Sequence, residues 1–315
     1  MMQMSLVTDV LGHLTFEDML DTVAKLGFEA VELGCGNWSK APFVRLDALL
    51  ESKAARDAYL AAIRSRGLDI SALNCSGEQL APNGKGAAHK VVVEKTFRLA
   101  ELLGVKTIVM MSGCPGANAK DTESNWITSN FFPEHQSVLD YQWNDVFFPY
   151  WEKTAALAKS HGIEKVALEN HHNNLVYNPR TMKKMRAVID PVVGMNFDPS
   201  HLMWMGGDPI AALRELGKDL IHYMHAKDVR HERGIVAAQG LIDLNPMSDP
   251  TQRAWNYVAL GHGHDVHWWK EYYSVARYIG YDGPVSLEME DMSMDPLTGV
   301  KKSVATLKQA LPRAF

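Results

Sequence analysis

The feature of this sequence that most constrains its fold is a repeated alternation of short apolar segments with longer helical patterns. Eight segments are rich in aliphatic and β-branched residues, which is typical of buried strands: MSLVTD, EAVELG, LDISALNCSG, VKTIVMMSG, EKVALEN, PVVGMNFD, DLIHYMHAKD and GPVSLEME. A stretch with helical spacing of apolar residues follows each of them. Because strands joined through helices run parallel with right-handed crossovers, eight such units predict a closed (β/α)8 TIM barrel of the α/β class.

Residues at the ends of the predicted helices agree with this division. Thr15, followed by acidic residues, is suited to begin the first helix, and Gly27 is suited to end it. Further helices are predicted over residues 53–66 and 87–103, each followed by a glycine. No GxGxxG motif follows the first strand, which argues against a dinucleotide-binding sheet. The chain contains no linker or low-complexity tract, so residues 1–315 are predicted to form one domain.

Two of the predicted connections are too long to be ordinary turns. They span residues 113–142 after the fourth strand and 229–266 after the seventh, and both contain many aromatic residues. Since both follow strands, they are expected on the C-terminal face, where barrel enzymes have their active sites. Their length predicts a lid over a substrate or a partner surface, with packing back onto the barrel as an equal alternative. The segment GHGHDVHWW, with His262, His264 and His267, has the composition of a metal cluster, but its glycine-rich setting favours a lid or plain surface.

Composition and charge argue against several classes of protein. A net charge of −5 provides no basic surface for nucleic acid or for an anionic membrane. The three cysteines lie far apart without a CxxC pair, so neither a zinc knuckle nor a disulfide framework is predicted. The first residues lack the pattern of a signal peptide, and no apolar stretch reaches the roughly 20 residues of a membrane span. A cytoplasmic location is therefore expected.

Acidic or imidazole side chains stand at the predicted C-terminal ends of four successive strands. The fifth to eighth strands end at Glu169, Asp198, His225 and Glu288. Barrel geometry brings neighbouring strand ends together, so these side chains are expected to converge. Three carboxylates in one pocket repel each other, and burying them unpaired is costly. One divalent cation removes this conflict, and oxygen ligands with one imidazole suit Mn²⁺, Mg²⁺, Co²⁺ or Fe²⁺ better than structural zinc.

Each of these four residues taken alone has a simpler explanation. Asp198 precedes Pro199, a favourable start for a helix, so its carboxylate is suited to cap exposed N–H groups. Any single member of the set is also suited to a salt bridge with a nearby lysine or arginine. The occurrence of all four at equivalent strand ends favours a shared metal ion, with Asp198 as a ligand and Pro199 shaping the turn after it.

Further polar residues are expected on the same face and are candidates for acid–base chemistry and substrate binding. His171 shares the side of Glu169 on the fifth strand, and a histidine beside a metal-bound carboxylate is suited to be a general base or to support that ligand by a hydrogen bond. Lys227 is the candidate for binding or protonating an oxyanion, unless it pairs with Asp228. The candidates for substrate contact are His172, His201, Asp228, Arg230 and Glu290.

Five short stretches match a known family in content and order over nearly the whole chain: AVELG, VALEN, NFDPSHLMWMGGDP, HAKDVR and VSLEMED. They resemble the xylose isomerase-like TIM barrel superfamily, which includes sugar phosphate isomerases and epimerases and AP endonuclease family 2. The resemblance implies one divalent metal held by a Glu, Asp, His, Glu set, which falls here on Glu169, Asp198, His225 and Glu288. It also implies substrate contact by the histidine of D-P-S-H, here His201.

A narrower resemblance rests on SGCPG, the tryptophan-rich loop, the Glu169-x-His171 spacing and HAKD. These features are most similar to enzymes acting on 3-keto sugars, namely 3-dehydro-glycoside epimerases and the α subunit of C-glycoside deglycosidases. The resemblance implies Mn²⁺, His171 as the base, and a small β subunit as partner, with a homo-oligomer as the alternative. LENHHNN departs from the family by its second histidine, which leaves open whether His171 or His172 faces the metal.

Together these residues predict an enzyme that removes the proton α to the carbonyl group of a keto sugar, with His171, Glu169 or Glu288 as the base. The preferred outcome is β-elimination of the aglycone from a 3-keto-glycoside, with Lys227 as proton donor. Isomerisation or epimerisation of a sugar or sugar phosphate, after the same proton removal, is the alternative. The rivals from other classes are a metal-dependent phosphodiesterase and a sugar-binding subunit without catalysis.

Overall fold

Eight parallel strands form a closed barrel in a computed structural model that describes residues 2–313. The described residues contain ten strands, of which β8 and β9 lie outside the barrel: β1 (Gln3–Val7), β2 (Ala30–Gly34), β3 (Asp69–Asn74), β4 (Thr107–Met111), β5 (Lys165–Glu169), β6 (Val193–Phe197), β7 (Ile221–Ala226), β8 (Asp228–His231), β9 (Trp255–Val258) and β10 (Pro284–Leu287). Around the barrel the order is β1-β10-β7-β6-β5-β4-β3-β2, so β10 is its eighth strand. The predicted (β/α)8 TIM barrel is confirmed.

Helices cover the outside of the barrel and separate its strands along the chain. They are α1 (Phe16–Leu26), α2 (Leu46–Glu51), α3 (Lys53–Arg64), α4 (Gly84–Leu103), α5 (Pro133–Asp140), α6 (Phe148–Ser160), α7 (Pro179–Arg186), α8 (Pro199–Trp204), α9 (Pro209–Leu216), α10 (Arg233–Gln239), α11 (Val266–Tyr278) and α12 (Pro296–Ala310). Thr15 caps α1 by accepting from the N–H of Asp18, and Gly27 ends it with a φ of 85°. Across residues 2–313, none of these helices has the length and apolar character to cross a membrane.

The two long connections contain secondary structure that the sequence analysis did not predict. The connection after β4 contains α5 and a π-helical segment, Tyr141–Phe147, which leads directly into α6. The connection after β7 contains the antiparallel pair β8 and β9, with α10 between them. These strands are too short and too mixed in polarity to give a clear alternating pattern, so their pairing becomes visible only in three dimensions.

The interior of the barrel is packed and includes a group of polar side chains that are hydrogen-bonded to one another. The Tyr223 hydroxyl lies 2.7 Å from Ser71 Oγ, which in turn lies 2.7 Å from Ser5 Oγ. Ala72 and Val109 belong to the same small cluster, where their short side chains leave room for the tyrosine ring. A filled interior supports the strand ends above it, because packed side chains leave little freedom to move.

The parallel register brings the C-terminal ends of adjacent strands level. Glu169 of β5 lies opposite Asn196 of β6, and His225 of β7 lies opposite Ser286 of β10. The residues that directly follow β6 and β10 therefore lie at the same height as these ends. Polar side chains at these positions meet at the mouth of the barrel.

Candidate metal centre and active site

Four side chains at neighbouring strand ends converge on one point. Glu169 is the last residue of β5, and Asp198 directly follows β6. His225 is the penultimate residue of β7, and Glu288 directly follows β10. One ligand atom from each residue lies within 4.8 Å of all the others. The structure therefore brings together the four residues predicted to hold a metal.

The donor atoms of this cluster fit a divalent cation. Asp198 Oδ2, His225 Nδ1 and Glu288 Oε2 are buried and make no well-formed hydrogen bond within residues 2–313, while His225 Nδ1 and Lys227 Nζ lie 3.1 and 3.3 Å from Glu288 Oε2. Burial and the neighbouring Glu288 raise the pKa of Glu169, and burial raises the pKa of Asp198 to about 6. Buried polar atoms without partners and crowded carboxylates are unfavourable until a cation compensates them. Three carboxylates with one imidazole match the preferences of Mn²⁺, Mg²⁺, Co²⁺ and Fe²⁺.

The structure shows Asp198 as a helix cap and leaves its second oxygen in position for the predicted role as a metal ligand. Its Oδ1 accepts the backbone N–H of Ser200 at 2.8 Å and so caps α8, which begins at Pro199. Its Oδ2 belongs to the metal-ligand cluster. A carboxylate has two oxygens, so Oδ1 can accept the hydrogen bond from the helix while Oδ2 points to the cluster.

Glu32 in β2 contacts His225 from the side away from the cavity, and it is a site residue that the sequence pattern did not predict. It is fully buried, and its Oε2 lies 3.1 Å from Nε2 of His225. Because a carboxylate accepts this hydrogen bond, His225 carries a proton on Nε2 and directs Nδ1 toward the cluster. Asn74 donates to the other oxygen of Glu32 at 2.7 Å. The signal was present in AVELG, where one acid interrupts an otherwise apolar strand.

Replacing Glu32 by glutamine is expected to weaken metal binding about 10- to 100-fold, since loss of a charged partner behind a histidine ligand has this effect. Calorimetric titration of metal-free protein with Mn²⁺ measures it. Glu29→Gln makes the same chemical change at a half-exposed position just before β2 and is expected to leave the affinity unchanged. Equal affinities in wild type and Glu32→Gln would show that Glu32 does not support the metal.

A cavity of about 220 Å³ adjoins the cluster, and His171 is among its lining residues. The Nδ1 atom of His171 lies 2.6 Å from the carbonyl oxygen of His172. A carbonyl only accepts hydrogen bonds, so Nδ1 carries the proton and Nε2 keeps its lone pair. Burial and the adjacent His172 lower the pKa of His171 to about 3, so the ring is neutral. His171 thus offers a proton acceptor to the cavity.

His172 and His201 lie behind His171 and outside the set of residues that line this cavity. The ring of His172 stacks on that of His171, with centroids 4.1 Å apart. His201 donates from Nε2 to Glu169 Oε1 at 2.7 Å, and its Nδ1 accepts from the Tyr257 hydroxyl at 3.0 Å. Both histidines hold their neighbours in place, and their contact with substrate stays a prediction.

Lys227 contributes a buried positive charge to the cavity. Its Nζ lies 2.6 Å from Glu290 Oε2 and 3.3 Å from Glu288 Oε2, so it pairs with these carboxylates rather than with Asp228. Burial alone would lower the pKa of Lys227, but the two glutamates outweigh burial and raise it. The ammonium also lies 4.3 Å from the ring centre of Tyr257. Lys227 is therefore a protonated group that can donate toward a ligand.

The opposite part of the lining comes from the first strands of the barrel and was not predicted. Asp9 lies two residues beyond β1, and Ser76 lies two residues beyond β3. Asp9 Oδ1 and Ser76 Oγ are buried and find no hydrogen-bond partner between residues 2 and 313. Trp38 lies beside His171, with ring centroids 5.4 Å apart. Two unpartnered polar atoms and an aromatic face favour a ligand that carries several hydroxyl groups.

Asp228 and Arg230, both predicted to bind substrate, lie outside the cavity lining. Arg230 is half-exposed and pairs with Glu232 at 2.7 Å. The buried Asp228 instead accepts backbone N–H groups from residues 261, 263 and 264, and His264 Nδ1 lies 2.9 Å from its Oδ1. The glycine-rich histidine segment is thus a loop anchored by Asp228, and within the described range His262 and His267 join no metal-binding group.

Replacing Asp228 by alanine is expected to lower the free energy of unfolding by about 1–3 kcal/mol or more, because several N–H groups lose their acceptor. Mn²⁺ affinity is expected to stay within about twofold of wild type, since Asp228 is not a ligand. Urea unfolding and calorimetry measure the two quantities. Arg230→Ala breaks an exposed ion pair and serves as control, with a change below about 1 kcal/mol. Unchanged stability with weakened substrate binding would restore the sequence-based assignment of Asp228.

Comparison with known proteins places these features in context. Residues 20–310 match the sequence profile of the family described as "Xylose isomerase-like TIM barrel". The chain is 49% identical over 312 residues to the uncharacterized protein YfiH of Bacillus subtilis (strain 168), a match that covers 98% of this chain and 99% of YfiH.

Two solved structures have the same fold at low identity. The probable 3-DHS dehydratase AsbF of Bacillus anthracis aligns with a TM-score of 0.67 and 19% identity, over 98% of this chain and 99% of that one. A D-tagatose 3-epimerase-like protein aligns with a TM-score of 0.63 and 20% identity, over 98% and 97% of the two chains. At these identities the similarity concerns the fold alone.

Proposed function

The chain belongs to the xylose isomerase-like TIM barrel family, and on that premise we propose that it is a divalent-metal-dependent enzyme that removes the proton next to the carbonyl group of a keto sugar. One observation carries this proposal. Four buried or half-buried side chains, three of them carboxylates, converge beside a cavity that also presents a neutral imidazole and a protonated lysine. Acid–base groups placed beside a cation site are the requirements for this kind of proton abstraction.

The size and polarity of the cavity favour a single sugar ring as substrate. Its volume of about 220 Å³ lies below the range of roughly 300–1,000 Å³ that is typical of pockets for larger ligands. Asp9 Oδ1 and Ser76 Oγ supply acceptors for hydroxyl groups, and Trp38 supplies an aromatic face. A polyhydroxylated ring with one carbonyl group satisfies all of these features.

The four converging residues, His171 and Lys227 each have a defined part in the proposed reaction. Glu169, Asp198, His225 and Glu288 would hold the cation, which would stabilise the negative charge that develops on a carbonyl oxygen when the neighbouring carbon loses a proton. His171 accepts that proton on Nε2, because its Nδ1–H is held by the carbonyl group of His172. Lys227 donates a proton to the leaving group, which takes negative charge with it as it departs from the ring.

The substrate that uses all of these groups is a 3-keto-glycoside. His171 takes the proton from C2, and the electron pair of that C–H bond forms the C1=C2 double bond. The C1–aglycone bond breaks, its electron pair leaves with the aglycone, and Lys227 supplies the proton that completes the aglycone. The products are an unsaturated 3-keto sugar and the protonated aglycone, and exchange with solvent returns His171 and Lys227 to their starting states.

Epimerisation is the second candidate, because it shares the removal of the α proton. Glu169 and Glu288 line the cavity together with His171, so more than one group is available to return a proton to carbon. The names of the two structural neighbours, a probable dehydratase and an epimerase-like protein, correspond to these two outcomes. The proposed partner of the chain is a small β subunit, with a second copy of the chain as the alternative.

Incubation of Mn²⁺-loaded protein with 3-keto-glucosides and with free keto sugars in D₂O tests the proposal. NMR follows deuterium at the α carbon and release of the aglycone in the same sample. Release identifies a lyase, and deuterium uptake without release identifies an epimerase or isomerase. No uptake on any keto sugar, with or without a partner subunit, would refute proton abstraction and favour a sugar-binding subunit.

Metal stoichiometry separates the proposal from a phosphodiesterase. One cation per chain is expected at Glu169, Asp198, His225 and Glu288, because the nearby histidine group has Nδ1 of His171 and Nε2 of His201 hydrogen-bonded to other residues. About three zinc ions per chain, measured by elemental analysis, would instead support a multi-zinc phosphodiesterase. The net charge of −5 gives such an enzyme no basic surface for DNA.

A further inference from the structure

A second cavity, of about 320 Å³, adjoins the reaction cavity. Tyr257 and Glu290 line both cavities, so these two side chains form a wall that the two spaces share. The rest of the second lining comes from β8 and β9, from the chain between them and from the segment after β10. We call this space the outer cavity and the one beside the metal ligands the inner cavity.

The walls of the outer cavity offer mainly apolar surface. Ile235, Met247, Pro250, Val258 and Met292 line it. The side chains of Met247 and Met292 are 42% and 59% exposed. Such exposure of apolar surface to water is unfavourable unless a ligand or partner covers it. Methionine adapts its shape to different apolar ligands, because its chain is unbranched and polarizable.

The charged side chains around the outer cavity are already paired. Arg230 binds Glu232 at 2.7 Å, and Glu290 binds Lys227 at 2.6 Å. Asp291 accepts the backbone N–H of Ala259 at 2.9 Å. The outer cavity therefore does not require a charged ligand. Its apolar surface is available to bind an apolar part of a ligand.

The boundary between the two cavities coincides with the proton donor. Lys227 Nζ lies 2.6 Å from Glu290 Oε2 and 4.3 Å from the ring centre of Tyr257, the two residues that line both spaces. A ligand that fills both cavities has the bond joining its two parts beside Lys227. This is the bond that breaks when an aglycone is eliminated from a sugar ring.

We propose that the outer cavity is the binding site for an apolar, preferably aromatic, aglycone, so that glycosides rather than free sugars are the substrates. This inference rests on the proposed function, since it assigns the second half of the same substrate. It makes Met247 and Met292 residues that determine specificity, while Tyr257 and Glu290 position the bond that is cleaved.

Calorimetry and NMR with two probes test the proposal. Mn²⁺-loaded protein is titrated with phenyl and methyl β-glucosides, which have no ketone and cannot react, and the corresponding 3-keto-glucosides are followed in D₂O. The wild type is expected to bind the phenyl probe at least about 10-fold more tightly, because a phenyl group buries far more apolar surface than a methyl group. Met292→Trp narrows the outer cavity and is expected to reduce this preference to less than about threefold.

Ile242→Trp provides the matched control, because Ile242 is 76% exposed in the same connection but lies outside both linings. It is expected to keep the wild-type preference. Equal binding of both probes by the wild type, or equal effects of Met292→Trp on both, would overturn the outer-cavity proposal. A phenyl preference without deuterium uptake from any keto-glucoside would refute the proposed reaction and leave the aglycone site standing.

Discussion

Replacing Asp198 by asparagine is expected to weaken Mn²⁺ binding by more than about 100-fold while the barrel stays folded. Loss of a group that only orients a ligand already costs about 10- to 100-fold, so loss of a ligand costs more. The amide oxygen of asparagine can still accept the N–H of Ser200, so the cap of α8 is retained. Metal content after dialysis and the rise in Tm on addition of Mn²⁺ measure the effect, because binding to the folded state raises stability.

The matched control for this change is Asp208→Asn. Asp208 also precedes a proline and caps a helix, α9, through the N–H groups of Ile210 and Ala211, but it lies away from the cluster. Asp208→Asn is expected to bind Mn²⁺ as the wild type does. If Asp198→Asn kept its metal, or if both variants lost it equally, the four-residue cluster would not be the metal site.

Replacing His171 by asparagine is expected to lower the rate of α-deuterium uptake by about 10²- to 10⁴-fold, the usual contribution of a general base. Metal affinity is expected to stay near the wild-type value, because His171 is not one of the four converging ligands. NMR in D₂O with a 3-keto-glucoside measures the rate, and calorimetry measures the affinity. An unchanged rate would transfer the role of base to Glu169 or Glu288.

His172→Asn is the matched control for His171→Asn, since it removes the neighbouring ring of the same type. His172 stacks on His171 but lies outside the cavity lining, and only its carbonyl oxygen, which the variant retains, accepts from His171. A rate loss below about 10-fold is expected, as for a group that supports another by packing. A larger loss in His172→Asn than in His171→Asn would reverse the assignment of the base.

The sequence alone predicted the barrel and the four side chains that converge at its mouth because both depend on local patterns. Strand and helix periods are set by neighbouring residues, and a polar residue that ends an apolar strand marks a strand tip. Glu32 is also a polar residue in an apolar strand, but it lies in the middle of β2. A rule based on strand ends therefore does not predict it. Asp9 and Ser76 follow strands among residues that are common in turns, and such residues carry no signal of their own.

The partners of polar side chains could not be predicted in this way. Asp228 follows β7 as closely as the ligands follow their strands, yet it binds backbone groups 33 to 36 residues further along the chain. Glu32 and His225 are separated by 193 residues and meet inside the barrel. The sequence pattern gives the position of a side chain along its strand, whereas its hydrogen-bond partner depends on how distant segments pack.

The sequence by itself therefore predicted the fold, which the structure confirms, and it placed Glu169, Asp198, His225 and Glu288 at strand ends that converge; their role as metal ligands and the chemistry stay predictions. Tertiary structure was needed to choose His171 over His172 as the residue that lines the cavity, to divide the two oxygens of Asp198 between helix and cluster, and to form the outer cavity from β8, β9 and the chain between them. The physical reason is the range of the interactions involved. Periodicity acts over a few residues, while burial, hydrogen-bond partners and cavities arise only when segments far apart in the chain exclude water together.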